Sequence, residues 1–428
     1  MLDNKPRELR RVKQIPTVID SIIIISLIFG GLAVDLASRT PTIMYFDVLF
    51  CLVFCLRILW LDWPVSSDRL MTRLICAVVF LQVVSALVNP TDIYKSVLTI
   101  KCLLFGFIIY STLQKKGVEE WCVPVWLGGA GLITLLPYYS AIREGLNSVS
   151  GIKDAVVTPM GPNNYVASYL MMLIPLGTVL FYLSQKGYKK ALYGISLFSG
   201  AAGFLVTFSR GAFISLTAAS LLSLPLMFKA GLRLKHCMLA LLFLGSTMAI
   251  FSQQVAFAYE FFGDKLAVGD ESRIELWQMA IRAFKENPVL GVGPGQFVDY
   301  THETGMNNSK LGAHNTYLQI LAEGGILGSI PILALLIVIL RRSYLMAKRS
   351  LDPVQVAIWV GLLAAIIHNA MDSLFWTQHF QVLFWLLSAI SITRWSSNEG
   401  KYVAHLGSAR TPPSNGSVAR PLVPAQGH

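Results

Sequence analysis

Long runs of apolar residues recur from residue 18 to residue 394, and short polar segments separate them. Most of these runs approach the roughly 20 residues that an α-helix needs to cross the hydrocarbon core of a bilayer. The pattern therefore predicts an all-α, polytopic membrane protein with about 12 transmembrane helices. The predicted spans lie near residues 18–37, 43–60, 70–88, 97–113, 122–140, 164–183, 190–208, 211–228, 236–253, 316–340, 354–370 and 380–394.

One long loop of mixed polarity, about residues 254–313, interrupts this succession of spans. Within it, Ser272-Arg273-Ile274-Glu275 has the form of a capping box, which is typical of the start of a helix. Apolar residues then recur at helical spacing until Asn287-Pro288 would end the helix, at Ile274, Trp277, Ile281 and Phe284. We expect an amphipathic helix that lies near the membrane surface.

Basic residues are distributed unevenly between the predicted spans. Most of the 35 Lys and Arg residues fall on one side of the membrane if both chain termini lie on that side. Because basic segments tend to stay in the cytoplasm, we expect both termini there and the long loop on the outer side. The transmembrane domain then covers residues 1–395, and the Ser-, Pro- and Gly-containing segment 396–428 is expected to be a disordered cytoplasmic tail.

The composition agrees with a membrane protein and excludes several other classes. Hydrophobic residues make up 54% of the chain and charged residues only 14%, against about 25% charged residues in soluble domains. The net charge of +11 follows mainly from the cytoplasmic segments, so it does not indicate binding of nucleic acid. The cysteines form no disulfide or metal motif, and no dense cluster of metal ligands occurs in the sequence. We expect no metal and no cofactor.

Two arginines on the outer side are candidates for binding an anion. Arg210 lies between two spans with almost no loop, where an uncompensated charge is costly. It is explained either by a side chain that extends to the interface or by a guanidinium that binds phosphate oxygens. Arg273 opposes the helix dipole at the start of the loop helix. It is explained either by the nearby acids Asp270, Glu271 and Glu275 or by a phosphate bound at the helix N-terminus.

His314 is the candidate general base, because it lies where the long loop re-enters the membrane. An imidazole there could take a proton from a hydroxyl group while the outer arginines hold an anionic leaving group. A histidine with a purely structural role is the other interpretation. Asp372, in the last outer loop, is either an acid that orients His314 or a simple surface acid. Candidate supporting residues, also explained by interhelical hydrogen bonding, are Asn315, Tyr317 and Glu323.

Three motifs give the chain a resemblance to a known family. They are Ser209-Arg210-Gly211-Ala212, the segment 286–297 with its sequence Gly291-Val292-Gly293-Pro294-Gly295, and His314-Asn315-Thr316-Tyr317-Leu318-Gln319 followed by Glu323-Gly324-Gly325. With these motifs and one long outer loop towards its C-terminal third, the chain resembles the O-antigen ligase and polymerase superfamily of bacterial envelopes. The motifs cover about residues 200–328, and the similarity in topology covers almost the whole chain.

The resemblance implies a glycosyltransferase of the bacterial inner membrane whose active site faces the periplasm. It implies transfer of a glycan from undecaprenyl pyrophosphate to a sugar hydroxyl of the lipid A core, without a metal or ATP. By their match to the family, Arg210 and Arg273 would bind the pyrophosphate and His314 would be the general base, whereas Asp372 matches less closely. The expected partners are the lipid-linked glycan donor, the lipid A core acceptor and the phospholipid membrane, and not nucleic acid.

Two other functions fit the same residues. A polymerase of the same superfamily would join O-antigen or exopolysaccharide repeat units on the lipid carrier, and it would share these motifs. A transporter or flippase of lipid-linked glycans would use the same arginines as a path for the anion. The polar loop helix, and the lack of paired interrupted helices in the two halves of the sequence, favour an enzyme over a transporter.

Overall fold

The structure is a computed structural model, and all its regular secondary structure in the described residues is helical. It describes residues 69–89, 118–143, 163–185, 187–207, 209–232, 273–305, 311–377 and 379–391, with the isolated positions 100, 104 and 158. No β-strand occurs in these ranges. The all-α prediction is confirmed for this part of the chain.

The helices are numbered in chain order. They are α1 (Arg69–Val88), α2 (Val118–Arg143), α3 (Asn163–Leu183), α4 (Tyr188–Val206), α5 (Arg210–Lys229), α6 (273–286), α7 (Phe297–Glu303), α8 (Thr316–Ser350), α9 (Pro353–His368) and α10 (His379–Ser391), with a 3-10 helix at Leu374–Trp376. In the described ranges, α1, α3, α5 and α8 are long and apolar enough to cross a membrane, and α2, α9 and α10 hold shorter apolar stretches.

The number of spans, the structure of the first part of the long loop and the disorder of the C-terminal tail stay predictions. The predicted spans at 18–37, 43–60 and 236–253 and nearly all of the span at 97–113 lie outside the described residues. The same is true of the first part of the long loop, about residues 254–272, and of the tail at 396–428.

Helix α9 lies at the centre of the bundle, where it packs against α3, α5 and α8. Glycine permits the closest of these approaches, because a Cβ atom at Gly361 would lie 2.5 Å from the carbonyl oxygen of Met172 in α3. Helices α2 and α4 pack in the same way, since a Cβ atom at Gly131 would lie 2.3 Å from the carbonyl oxygen of Ser199. Small residues at helix contacts are typical of membrane bundles. This packing fixes the end of α9 that carries His368.

Helix α6 ends at residue 286, immediately before Asn287-Pro288, as the sequence predicts. Ile274 and Ile281, two of its predicted apolar positions, are 52% and 42% exposed. The face that packs on the protein consists instead of small residues together with one leucine: Leu276, Ala280 and Ala283. Alanines on this face bring α6 close to the start of α8, where Ala313 and Ala322 belong to the same apolar cluster. The location of α6 at the membrane surface stays a prediction.

Helix α8 is broken at Gly325, a feature that the sequence analysis did not predict within the span 316–340. Gly325 has φ 56 and ψ −160, which lie outside the helical region. The glycine-rich segment after α6 pairs with both sides of the break, so the backbone groups that the break releases are bonded within the protein. The N–H groups of Val292, Gly293, Ile326 and Leu327 donate to the carbonyls of Ala322, Glu323, Pro288 and Val289 respectively, at 2.9–3.1 Å.

Candidate active site

The candidate site lies at the end of the bundle where α5 and α8 begin and α9 ends, which we call the loop end. The backbone N–H of Thr316, the first residue of α8, donates to the carbonyl oxygen of Asn369, just after α9, at 2.8 Å. Gly211, in the first turn of α5, lies against the side chain of His368, the last residue of α9. Three helix termini therefore meet where the sequence analysis placed most of its candidates.

His314 and Asp372 are in direct contact at the loop end. The Nδ1 atom of His314 lies 3.2 Å from the Oδ1 atom of Asp372. The His314 side chain is 31% exposed, whereas that of Asp372 is 6% exposed. Because an ionised carboxylate can only accept hydrogen bonds, Nδ1 must carry a proton, and this N–H donates a hydrogen bond to Asp372. In the neutral ring, Nε2 then has a free lone pair and can accept a proton.

The environment of Asp372 holds its carboxyl group in the ionised form. Burial raises the pKa of Asp372. The hydrogen bond from His314, the charges of His314 and His368, and the backbone N–H of Ser373 lower the pKa by a larger amount in total. The Ser373 N–H donates to Oδ1 at 2.8 Å. The net effect is a pKa below the ordinary value of 3.8. Asp372 is therefore negatively charged near neutral pH.

The backbone around His314 is fixed on both sides of the imidazole. His314 itself has φ 46, a conformation that residues other than Gly rarely adopt and that is often found at functional sites. Asn315 caps α8, because its Oδ1 atom accepts hydrogen bonds from the N–H groups of Tyr317 at 3.0 Å and Leu318 at 3.1 Å. The N–H of Asn315 donates to the hydroxyl of Ser373 at 3.1 Å. The start of α8 is thus tied to the loop that carries Asp372.

The two candidate arginines lie at the same end of the bundle. Arg210 is the first residue of α5, and its side chain is exposed. Arg273 is half-buried in the first turn of α6 that the structure describes, and its charge acts on the imidazole of His368. Within the described ranges neither arginine forms a salt bridge. Of the acids that the sequence offered as partners of Arg273, Asp270 and Glu271 lie outside the described residues.

Part of the chain matches a known protein family. Residues 195–333 fit the family model described as O-Antigen ligase. The matched stretch begins in α4, ends in α8 beyond the break, and contains Arg210, Arg273 and His314. This match supports the O-antigen ligase and polymerase superfamily. A comparison with curated proteins gives no match.

Members of this superfamily are glycosyltransferase-like enzymes that take part in O-antigen processing. Together with the long apolar helices, the assignment indicates a multi-pass membrane protein that handles a lipid-linked glycan. His368 and Asp372 lie beyond the last matched residue. Their place at the loop end therefore follows from the structure, independently of the family match.

Glu323 anchors the glycine-rich segment. The side chain is 4% exposed, and its Oε2 atom accepts hydrogen bonds from the N–H of Gly295 at 2.7 Å and from the indole N–H of Trp376 at 2.8 Å. Its Oε1 atom accepts one from the side-chain amide of Gln319 at 2.9 Å. These contacts join three segments around α8, which fits the interhelical interpretation of Glu323 better than a direct contact with substrate.

Tyr317 also bonds within the protein, since its hydroxyl donates to the carbonyl oxygen of Ile366 at 2.7 Å. This contact ties the first turn of α8 to the last turn of α9. His314 lies just before this turn of α8, and Asp372 lies a few residues after this turn of α9. The contact therefore helps to hold the two side chains next to each other. Asn315 and Tyr317 thus bond to the backbone at the loop end, and their supporting roles in the site stay predictions.

The structure adds two residues to the site that the sequence analysis did not assign. Tyr165, in the first turn of α3, and His368 lie near enough to Asp372 for its charge to influence both rings, and the His368 ring also lies against Gly211. A spacing of four residues between His368 and Asp372 was the only signal in the sequence, and such a spacing is common by chance. In the described part of the chain, no group of three or more His, Cys, Asp or Glu side chains has the arrangement of a metal site.

Proposed function

We propose that the protein is an O-antigen ligase, which transfers a glycan from undecaprenyl pyrophosphate to a sugar hydroxyl of the lipid A core. The observation that carries the proposal is the hydrogen bond between His314 and Asp372 at the loop end. In this proposal the loop end faces the periplasm and the protein lies in the bacterial inner membrane. The family assignment supports a lipid-linked glycan as the donor.

The proposed reaction is an inverting displacement at the anomeric carbon. The acceptor hydroxyl attacks that carbon and forms the new glycosidic bond, while its proton passes to Nε2 of His314. The bond between the anomeric carbon and the pyrophosphate oxygen breaks, and its electron pair leaves with undecaprenyl pyrophosphate. Asp372 holds the imidazole in the tautomer that can accept the proton, and its negative charge stabilises the imidazolium that forms.

Arg210 and Arg273 are proposed to bind the departing pyrophosphate. Negative charge grows on the leaving group during the reaction, so cations placed there stabilise the transition state more than the bound substrate. A guanidinium can donate two parallel hydrogen bonds to phosphate oxygens, which suits this role. With two such cations, the proposed reaction does not need a metal ion to neutralise the pyrophosphate.

The test uses the purified full chain in nanodiscs with an undecaprenyl-pyrophosphate-linked glycan, with and without lipid A core, in the presence of EDTA. The expected result is a product that depends on the acceptor, resists EDTA and disappears in His314→Ala. His302→Ala is the matched control, because His302 is an exposed histidine of the same long loop that has no part in the proposed site. This variant should retain the wild-type rate.

Other results of the same assay would change the assignment. Growth of the lipid-linked glycan without lipid A core would identify a polymerase, which the family match allows equally. Folded wild-type protein that forms no glycosidic bond with either substrate set would exclude both enzymes and favour transport of the lipid-linked glycan.

A further inference from the structure

His368 is a buried histidine whose environment is not that of an ordinary core residue. Its side chain is at the last position of α9 and is 2% exposed. Within the described residues its Nδ1 atom is buried and has no hydrogen-bond partner. Buried polar atoms in folded proteins nearly always have such a partner, so an exception requires an explanation. No structural hydrogen bond from Nδ1 explains why an imidazole occupies this position.

The other edge of the ring faces the N-terminus of a long helix. A Cβ atom at Gly211 would lie 3.0 Å from Nε2 of His368 and 3.2 Å from its Cδ2 atom. Gly211 is in the first turn of α5, which has 20 residues, and its φ is not in the left-handed region. The glycine is therefore suited to this position by the space that it leaves for the imidazole and not by its backbone conformation.

The first turn of α5 also lacks a capping side chain. Ser209 occupies the N-cap position, but its hydroxyl forms no capping hydrogen bond. Helices α8 and α9 differ in this respect, because Asn315 and Asp352 cap them. The free N–H groups and the dipole at the start of a helix favour an anion such as phosphate.

Charged groups on two other elements lie close enough to influence the same imidazole. Asp372, in the loop after α9, and Arg273, in α6, both act on the His368 ring. Arg210 precedes Gly211 directly at the start of α5. One region of the loop end thus contains the first turn of α5, the His368 ring and the two arginines that are proposed to bind pyrophosphate.

We propose that His368 is a further phosphate-binding residue and that it works together with the first-turn N–H groups of α5. The proposal rests on the proposed function and deepens it, because it assigns a second kind of donor to the pyrophosphate of the lipid carrier. The neutral imidazole donates its Nε2–H to a phosphate oxygen beside Gly211. Nδ1 is then the unprotonated nitrogen, so no buried N–H is left without an acceptor. No covalent bond forms or breaks at His368.

The experiment measures binding of farnesyl pyrophosphate and of inorganic pyrophosphate to the purified full chain in detergent. His368→Phe keeps a ring of similar size but removes the donor, and we expect its dissociation constants for both probes to rise about tenfold. His368→Gln retains a donor and should lose less. Gln355→Leu is the matched control, because Gln355 is a buried polar residue near the opposite end of the same helix. Its affinity for both probes should equal that of the wild type.

Farnesyl pyrophosphate and inorganic pyrophosphate separate a contact with phosphate from a contact with the lipid chain. An equal loss for the two probes in His368→Phe supports the proposal. A loss confined to farnesyl pyrophosphate overturns it, because His368 would then act on the hydrocarbon part. Wild-type affinity in folded His368→Phe also overturns it.

Gly211→Ala keeps the proposal testable if His368→Phe does not fold. The added methyl group would displace the imidazole from the first turn of α5, so both probes should bind more weakly, and unchanged binding would contradict the proposal. Failure of the proposed function gives a different result, namely a wild-type protein that transfers no glycan to lipid A core while His368→Phe still binds both probes more weakly than the wild type. If the wild type binds both probes and transfers glycan while His368→Phe behaves like it, only the role of His368 is wrong.

Discussion

The Nδ1 atom of His314 and the Oδ1 atom of Asp372 lie 3.2 Å apart although 58 residues separate the two along the chain. One residue precedes α8 and the other follows α9, so the contact depends on the antiparallel packing of these helices. The buried carboxylate determines which ring nitrogen carries the proton. It thereby leaves Nε2, on the opposite side of the imidazole, available for the acceptor hydroxyl.

Replacement of Asp372 by Asn should slow glycan transfer without weakening the binding of pyrophosphate. The neutral amide stabilises neither the required tautomer of His314 nor its protonated form, so we expect kcat to fall about 100-fold or more. The rate of transfer and the dissociation constant for farnesyl pyrophosphate should be measured on the same preparation. Asp299→Asn, which changes an acid of α7 outside the proposed site, should leave the rate unchanged. A normal kcat in Asp372→Asn would show that His314 does not depend on this carboxylate.

Asp372 should also make the stability of the protein depend on pH in the acidic range. Its pKa in the folded protein lies below the ordinary value of 3.8, so its ionisation stabilises the fold. This contribution is complete above that value and is lost as the pH falls through the lower pKa of the folded state. The Tm of the wild type should therefore approach that of Asp372→Asn when the pH is lowered from neutrality to about pH 3. A difference in Tm that stays constant with pH would show that the carboxyl is not held in its ionised form.

The two arginines should not tolerate replacement by lysine. An ammonium group keeps the charge but cannot donate two parallel hydrogen bonds to one phosphate, so Arg210→Lys and Arg273→Lys should each lower kcat/KM at least about tenfold. Arg282→Lys is the matched control on the same loop helix. Arg282 is exposed, and its Nε atom donates to Glu286 at 2.9 Å. Wild-type turnover in either of the first two variants would be incompatible with a guanidinium clamp.

Local signals in the sequence were sufficient for some elements and insufficient for others. Within the described residues, the apolar runs coincide with helices and Asn287-Pro288 follows the end of α6, because those signals act within a few residues. The motif around His314 likewise identified the loop end. Contacts between distant segments were not accessible in this way. The environment of His368 depends on a glycine in another helix, and the partners of Glu323 come from two other segments.

The break in α8 illustrates the same limit and yields a stability prediction with an internal control. Gly325 has φ 56, and a Cβ atom there would lie 2.5 Å from the carbonyl carbon of Val289. A side chain at this position is therefore disfavoured both by the backbone conformation and by the paired glycine-rich segment. Gly328, one turn later, has a helical environment and nothing within 4 Å of its Cβ position. Of these two glycines in the same helix, Gly325 thus has no room for a Cβ atom, whereas Gly328 has.

Gly325→Ala should lower the free energy of unfolding by about 1–3 kcal/mol from backbone strain alone, with a further loss from the contact with Val289. Gly328→Ala should be neutral or slightly stabilising, because Ala is favoured over Gly within a helix by about 0.5–1 kcal/mol. Thermal unfolding of the two variants in the same detergent compares them directly. Because the glycine-rich segment follows α6 directly and pairs with α8 on both sides of Gly325, Gly325→Ala should also shift α6 with Arg273 and weaken binding of farnesyl pyrophosphate. Equal stability of the two variants would mean that α8 can run continuously through residue 325 and that the pairing with residues 288–293 does not maintain the break.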